Sequence, residues 1–178
     1  REGEDLGKSI VTVPVLETLV RLDGTLDRPV EGVRFNGITF ADATWLRPGR
    51  EGHCDVQANF TCEPTNLYAR DGFVCNVHNE QRKSPANVVL RAARDCIFEG
   101  CTFTRLGGAG LDIEHGSQGN RVDRCTFEEI SGSAIQVGDL LPADHHPAEP
   151  RLIVKDNRIQ NCVIQNIGID YKGSVGIF

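Results

Sequence analysis

The sequence predicts an all-β chain that winds as a right-handed parallel β-helix, with rungs of about 24 residues. The first observation is an internal repeat, in which 120–130 aligns with 157–167 without a gap. Segments 33–43 and 96–106 repeat the same order of apolar and polar residues. The second observation is a period-two alternation within each copy, which is typical of strands. Because so short a unit cannot bury its apolar side alone, we expect stacked copies to share one core.

Equivalent positions in the four copies define ladders of like side chains. Neighbouring strands lie about 4.8 Å apart, so equivalent residues meet along the axis of the coil. The spacing from Cys101 to Cys125 is 24 residues, and that from Cys125 to Cys162 is 37, because an insertion intervenes. The three expected ladders are Phe35/Phe98/Val122/Ile159, Ile38/Cys101/Cys125/Cys162 and Phe40/Phe103/Phe127/Ile164.

Glycine-rich turns at 107–110 and 131–134 follow two of the copies. Glycine adopts a positive φ at little cost, which suits the tight corners of a coil. We therefore expect strands at 111–115 and 135–139. An α/β fold would instead need amphipathic helices between the strands, and the best candidate, 87–94, is short and carries a β-branched Val-Val pair near its start.

Three stretches interrupt the repeat and are expected to be loops extruded from the coil, namely 44–85, 140–153 and 168–172. The whole chain, 1–178, is thus interpreted as one β-helix segment. Because Phe178 falls inside a predicted strand, we expect the segment to belong to a longer helix.

The composition excludes several classes of protein. Hydrophobic residues make up 39% of the chain, charged residues 25%, and the net charge is −6. This is ordinary globular composition, which disfavours disorder, collagen and coiled coils. No apolar stretch approaches the roughly 20 residues that cross a bilayer, and the excess of acid disfavours non-specific binding to nucleic acid. The composition does not decide the oligomeric state.

The seven cysteines fall into two groups. Four of them, Cys96, Cys101, Cys125 and Cys162, occupy apolar positions of the repeat, where a cysteine is usually a small buried hydrophobe. The other three lie in the first insertion, where a disulfide between two of them stays open: Cys54, Cys62 and Cys75. The chain has no CxxC pair, so zinc is disfavoured, and we predict neither a metal nor a cofactor.

Two acidic side chains are expected on the outer face of one strand. Alternation within 111–115 turns the aliphatic residues inward, and it turns Asp112 and Glu114 outward. The next rung places Gln136 beside Asp112, and Asp139 follows where that strand ends. Residues two apart on one face are separated by about 6.6–7 Å, and adjacent rungs by about 4.8 Å.

Those spacings are comparable with the carboxylate pairs of glycosidases, about 5–5.5 Å apart in retaining enzymes and 6.5–9.5 Å in inverting ones. Backbone spacing is not carboxyl spacing, so both stereochemical outcomes stay open. A like charge nearby raises the pKa of one carboxyl and makes it a candidate proton donor.

Outward acids on a solenoid strand are usually only solvated surface. Here, however, seven titratable groups converge beside an extruded loop, and convergence of this kind indicates a functional site. They are Asp112, Glu114, His115, Asp139, Asp144, His145 and His146. The adjacent histidines would need a turn to bind one metal together, so a rigid proline-flanked loop is favoured over a metal site.

Several motifs carry a resemblance to a known family. Pro29–Phe40, Asp95–Phe103, Gly116–Val122 and Gly173–Phe178 are similar to segments of bacterial right-handed parallel β-helix proteins of the pectin-lyase-like superfamily. Within it, the two long insertions look most like those of the β-helix glycoside hydrolases that include α-L-fucosidase and xylanase activities. The resemblance implies an exported enzyme, secreted or periplasmic, that acts on a polysaccharide lying along one strand face.

Closer subfamilies fit less well. The polygalacturonase motifs are replaced by Gly108-Ala-Gly and Gly132-Ser-Ala, and no calcium-binding set of a pectate lyase is found. Gly110–His115 is similar to the Tyr-Gly-Phe-Asp-Pro-His motif of mannuronan epimerases, but it has one extra residue before the histidine. A lyase or epimerase is therefore the alternative. Because anionic substrates favour a basic groove and this face is acidic, a neutral glycan is preferred.

The sequence thus supports the hypothesis of a glycoside hydrolase that cleaves a plant or microbial glycan. Glu114 and Asp139 would serve as acid and base or nucleophile, with Asp112 assisting. The expected substrate-binding residues are His115, Gln136, Asp144, His145, His146, Tyr171 and Lys172. A non-catalytic adhesin or glycan-binding scaffold is the second hypothesis.

Overall fold

The computed structural model describes residues 5, 7–46, 60–62, 67–70, 73–76 and 81–178, with side chains omitted for 60–62, 67–70, 73–76 and 81–82. Nearly all regular structure in this part of the chain is extended. In chain order the strands are β1 (Val20–Asp23), β2 (Val30–Glu31), β3 (Arg34–Asn36), β4 (Thr39–Ala43), β5 (Phe60–Cys62), β6 (Leu67–Arg70), β7 (Phe73–Asn76), β8 (Gln81–Lys83), β9 (Ala86–Arg91), β10 (Ala93–Arg94), β11 (Ile97–Glu99), β12 (Thr102–Leu106), β13 (Ala109–Glu114), β14 (Arg121–Asp123), β15 (Thr126–Ile130), β16 (Ile135–Val137), β17 (Arg158–Gln160) and β18 (Val163–Ile164).

Three parallel four-stranded sheets run along the coil, and each successive rung adds one strand to every sheet. Sheet 1 has the order β1-β9-β13-β16, sheet 2 has β3-β11-β14-β17, and sheet 3 has β4-β12-β15-β18. A short parallel pair, β2 with β10, forms the corner between sheets 1 and 2. This arrangement confirms the predicted parallel β-helix. The segment 87–94, which the sequence argued against as a helix, lies in strands β9 and β10 with Ala92 between them.

The ladders of the core follow the predicted register. Phe98 pairs with Phe35 on one side and Val122 on the other, while Phe103 pairs with Phe40 and Phe127. The rings of Phe103 and Phe127 stack 4.4 Å apart and only 7° from parallel. Stacked rings of this kind add to the free energy of folding beyond the burial of their area.

The cysteine ladder is buried only in the middle rungs. Cys101 and Cys125 are 1% exposed, and Cys96 is fully buried, as expected for small apolar side chains. Ile38, in the first rung of the same ladder, is 44% exposed, because no rung among the described residues covers it. Cys96, Cys101, Cys125 and Cys162 are free thiols. The question of a disulfide between two of Cys54, Cys62 and Cys75, left open by the sequence, falls outside the described residues and side chains.

The first insertion leaves and re-enters the coil at one corner. Within it, β5 pairs with β8 and β6 with β7, both antiparallel. A Cβ atom on Gly107 would lie 2.8 Å from the Cα of Thr44, and one on Gly108 would lie 2.6 Å from the carbonyl oxygen of Pro85. Glycine is therefore needed at both positions, because the two ends of the insertion pack directly on this turn.

The second insertion, between β16 and β17, contains two short helical turns. They are α1 (Pro142–His145) and a 3₁₀ turn (Pro150–Leu152), and each begins with a proline, whose fixed φ suits the first position of a helix. Arg151 holds this loop to the first rung through Asp27, with its guanidinium 2.7 Å from the carboxylate. No helix among the described residues is long or apolar enough to cross a membrane.

Candidate functional site

The outer face of sheet 1 carries two columns of side chains, as the period-two alternation of strands requires. One column runs through Arg21, Val89, Asp112 and Gln136, each paired in register with the next. The other runs through Asp23, Arg91 and Glu114. The predicted carboxylates Asp112 and Glu114 thus share one face with two arginines from earlier rungs.

This face is covered rather than solvated, because the end of the first insertion lies on it. Asp112 is 3% exposed and Gln136 is fully buried, although both point away from the core. The amide nitrogen of Gln136 donates to the hydroxyl of Ser84 over 3.2 Å. Gln136 was expected to bind substrate. In the structure its side chain has no exposed surface and bonds the insertion through Ser84, so the geometry does not support that prediction.

Lys83, the last residue of β8, places its ammonium between the two carboxylates. Its Nζ lies 2.8 Å from Oδ1 of Asp112 and 3.1 Å from Oε2 of Glu114, and it donates to the carbonyl oxygen of Gly138 over 2.5 Å. An ammonium has three hydrogens to donate, so these three acceptors satisfy it completely. This pairing offsets the cost of burying the charges of Lys83, Asp112 and Glu114.

A line of alternating charges continues from Glu114 towards the first rung. Arg91 donates to Oε1 of Glu114 over 2.7 Å, and its Nε lies 3.5 Å from a carboxylate oxygen of Asp23. Asp23 in turn accepts from Arg21 over 3.0 Å. Both oxygens of Glu114 are therefore held by cations, whereas Asp112 contacts only the ammonium of Lys83 among the described side chains.

Burial and neighbouring charges raise the pKa of two acids at this site, Asp112 and Asp144. Burial raises the pKa of Asp112 to about 7; Lys83 opposes the rise, while the charges of Glu114 and Asp139 add to it. Burial alone would lower the pKa of Lys83, but the carboxylates of Asp112 and Glu114 raise it on balance. Burial, with the charges of Asp139 and Glu114, also raises the pKa of Asp144. Perturbed acids gathered in a cleft are typical of catalytic sites.

A cleft of about 520 Å³ lies over these groups. Its polar wall includes Arg21, Lys83, Arg91, Asp112, Glu114 and Asp139, and its apolar wall includes Pro85, Ala86, Val89 and Leu141. A smaller cavity of about 90 Å³ adjoins it beneath the second insertion. Asp139 and Glu114 line both cavities, whereas His115 and Asp144 line only the smaller one.

The remaining predicted residues lie elsewhere. His145 and His146 are exposed, contact each other through their Nδ1 atoms, and line neither cavity. Tyr171 packs against Trp45, with ring centroids 5.1 Å apart, at the corner between sheets 3 and 1. Neither Tyr171 nor the exposed Lys172 lines the two cavities. Within the described ranges, no group of three or more His, Cys, Asp or Glu side chains is arranged to hold a metal ion.

Three cations of this site, Lys83, Arg91 and Arg21, were not predicted from the sequence. Alternation along β9 could have found Arg91, because it faces outward two positions after Val89 and precedes Glu114 by one rung. Lys83 has no comparable signal, since it lies in an insertion without a repeat. The face judged acidic from sequence also carries cations: among the described residues, Arg21, Lys83 and Arg91 line the cleft beside Asp112, Glu114 and Asp139.

Comparison with known proteins agrees with this architecture. A family profile described as "Right handed beta helix region" matches residues 70–177, more than half of the chain. The chain belongs to the right-handed β-helix family. No curated protein sequence matches it.

Among solved structures, this β-helix is similar to a protein named "Glycoside hydrolase", with 34% sequence identity and a TM-score of 0.79. The superposition covers 99% of the present chain and 32% of that protein, so the β-helix described here spans about a third of its length. The likeness in fold extends over the rungs that carry Asp112, Glu114 and Asp139.

Proposed function

We propose that this β-helix is a glycoside hydrolase whose active site is the cleft on the outer face of sheet 1. The observation that carries the proposal is a buried carboxyl, Asp112, in the same cleft as the carboxylates of Glu114 and Asp139. Hydrolysis of a glycosidic bond needs one acid that holds a proton and one carboxylate that is ionised. The similarity to a protein named a glycoside hydrolase supports the reaction class.

Asp112 is the best proton donor of the three acids. Its pKa of about 7, raised by burial, keeps a substantial fraction protonated near neutral pH. In the proposed reaction it gives this proton to the glycosidic oxygen as the bond to the anomeric carbon breaks. The sequence-based hypothesis gave Asp112 only an assisting role, and the burial of its carboxyl favours the change.

Asp139 is the better candidate for the base or nucleophile. Both oxygens of Glu114 are engaged by Lys83 and Arg91, so that carboxylate is poorly free to move or attack. Asp139 makes no ion pair with any described residue, and its Oδ1 accepts only from the amide of Leu140. It would accept a proton from an attacking water in an inverting reaction, or form the covalent bond in a retaining one.

The substrate that fits best is a neutral oligosaccharide or polysaccharide. Lys83, Arg91 and Arg21 are each already bonded to a carboxylate, so no described cation in the wall is free to neutralise an acidic sugar. His115 and Asp144, in the adjoining cavity, are the proposed contacts for the sugar beside the scissile bond. We also propose that the protein is secreted or exported to the periplasm, because polymeric glycans are found outside the cell.

The test is an assay of the purified full-length protein on neutral and uronate-containing oligosaccharides, following new reducing ends. We expect cleavage of a neutral substrate and a loss of roughly 10²–10⁴ in kcat for both Asp112→Asn and Asp139→Asn. Asp156→Asn is the matched control, because Asp156 is exposed, lines neither cavity and has a positive φ that asparagine tolerates.

Three outcomes would contradict the proposal. Wild-type rates in both carboxylate variants would remove the assigned pair. An unsaturated or epimerised product would support the lyase or epimerase alternative, and glycan binding without turnover in the wild type would support a non-catalytic scaffold.

A further inference from the structure

We propose that Lys83 is a positioning residue that ties Asp112, Glu114 and the Gly138 carbonyl around a single ammonium and limits how tightly Asp112 holds its proton. The inference rests on the proposed function only for its kinetic readout. The affinity of Asp112 for its proton can be measured in the absence of any substrate.

The first argument is the unequal number of cations on the two carboxylates. Glu114 contacts Lys83 through one oxygen, at 3.1 Å, and Arg91 through the other, at 2.7 Å. Among the described side chains, Asp112 forms an ion pair with Lys83 alone, at 2.8 Å. Since an adjacent cation favours the ionised form of a carboxyl, Lys83 is the described cation that counters the protonation of Asp112.

The second argument is that the ammonium has a third acceptor. The bond to the carbonyl oxygen of Gly138, at 2.5 Å, does not change when Asp112 gains or loses a proton. Lys83 can therefore keep its place against Glu114 and Gly138 while Asp112 cycles between its two states. A side chain anchored at only one carboxylate would lose its position in each cycle.

The third argument is an acceptor left over beside Asp112. Oε1 of Gln136 is buried without a hydrogen-bond donor among the described residues, and Gln136 pairs with Asp112 in register on the next rung. Protonated Asp112 carries an O–H that could supply this donor, whereas ionised Asp112 carries none. The buried acceptor thus favours the protonated form.

The charges that face Asp112 come from three elements. Lys83 approaches from the insertion, Glu114 lies on the same strand, and Asp139 follows β16. Only Lys83 favours the ionised form, while burial and the two like charges oppose it. Removing the ammonium should therefore raise the affinity of Asp112 for its proton. A lysine with a structural role alone would not be expected to have this effect.

The insertion holds Lys83 in this position by contacts independent of the charges. Pro85 packs on the turn at Gly108, and the hydroxyl of Ser84 accepts from Gln136. The two residues that follow Lys83 are thus fixed to the coil, so a substitution at Lys83 need not release this end of the insertion.

The experiment is a ¹³C NMR titration of the Asp112 side-chain carboxyl in folded wild type, Lys83→Met and Lys83→Arg. Met keeps the length of the side chain without its charge, and Arg keeps the charge. We expect the midpoint to rise by about one pH unit or more in Lys83→Met and to stay within about half a unit of wild type in Lys83→Arg. Lys155→Met, at an exposed lysine that lines neither cavity, should leave it unchanged.

Circular dichroism establishes which variants fold, and Lys83→Gln carries the same test if Lys83→Met does not. An unchanged midpoint in a folded, uncharged variant would overturn the inference. Where glycan cleavage is found, the alkaline limb of kcat/KM should move to higher pH in the same variant, with an unchanged limb in Lys155→Met. A wild type without glycosidase activity would remove the proposed function and leave the titration result standing.

Discussion

A Cβ atom on Gly108 would lie 2.6 Å from the carbonyl oxygen of Pro85, two residues after the lysine of the candidate site. The turn at 107–108 therefore controls how closely the first insertion lies on the coil. Lys83 lies two residues before Pro85 and reaches Asp112 across 29 positions of sequence, so this backbone contact determines how far the lysine stands from the third rung.

Gly108→Ala should displace the insertion, because no real Cβ atom approaches a backbone oxygen so closely. We expect a loss of stability of about 1–3 kcal/mol, typical of overpacking, together with a loss of glycan cleavage. Thermal unfolding and the oligosaccharide assay measure the two effects. Gly176→Ala is the control, since a Cβ atom on Gly176 would lie 3.8 Å from the side chain of Ile164, an ordinary contact distance. Equal behaviour of the two variants would refute this account of the turn.

Glu114→Gln should change the pH dependence in the direction opposite to Lys83→Met. Removing a like charge beside Asp112 lowers the pKa of that carboxyl, since Glu114 contributes to raising it. The alkaline limb of kcat/KM should therefore move to lower pH, with a smaller kcat because Arg91 and Lys83 lose a partner. A pH–rate profile measures this shift. A shift to higher pH would mean that Glu114 does not act on Asp112 as described.

The stability of the wild type should fall as pH rises from about 4 to about 7. The pKa of Asp112 is about 7 in the folded protein against 3.8 in its unperturbed state, so the folded state binds the extra proton in this window. Stability falls with pH wherever the folded state holds more protons, here by roughly 2–4 kcal/mol from this group.

Urea unfolding at pH 4, 5.5 and 7 tests this linkage. Asp112→Asn has no proton to lose and should flatten the profile, while Asp156→Asn should reproduce the wild-type slope. An Asp112→Asn variant that retained the full slope would assign the effect to another group.

His115 and Tyr171 should differ in their effect on substrate binding. His115 lines the cavity next to Asp139, so His115→Asn, which tolerates the positive φ at this position, should raise KM about tenfold. Tyr171→Ala should lower the melting temperature, because Trp45 loses a packed ring, and should leave KM unchanged. Kinetics on the cleaved oligosaccharide decide the matter, and a raised KM in Tyr171→Ala would restore its predicted role in binding.

Replacing a stacked core ring should cost far more stability than these surface changes. Phe127→Ala removes the ring that stacks 4.4 Å from Phe103, and the expected loss is about 3–5 kcal/mol. Phe127→Leu keeps most of the volume and should cost roughly half as much. Chemical denaturation separates the two. A loss below about 1 kcal/mol in Phe127→Ala would show that the ladder is not a cooperative core.

The coil could be predicted from sequence because its information is local and repeated. Period-two alternation gave the strands, and the spacing of Cys101 and Cys125 gave the rung, so the register of Phe103 with Phe127 followed. The same reasoning placed Asp112 beside Gln136. It could not give their burial, because the covering segment comes from an insertion that does not repeat.

Only the part of the site that lies on the repeating strands of sheet 1 was therefore predicted. Lys83 and Ser84 have no pattern that ties them to sheet 1, and the opposite corner that holds Tyr171 and Trp45 could not be distinguished from the cleft by counting residues. The spacing of residues within a rung determines which side chains are neighbours on one face. It does not determine which face of the coil an inserted segment packs against.

The site joins residues from the insertion, the third rung and the end of the fourth. Residues 175–178 add to sheet 1 beyond β16, where the amide of Val137 donates to the carbonyl oxygen of Phe178. Because each coil in a stack touches only its neighbours, local opening of this part of sheet 1 can occur while the inner rungs hold. Gly138 and Asp139 would then move, and Lys83 would lose one of its three acceptors. Mild heating should therefore abolish the proposed glycan cleavage well before the far-ultraviolet spectrum reports any melting.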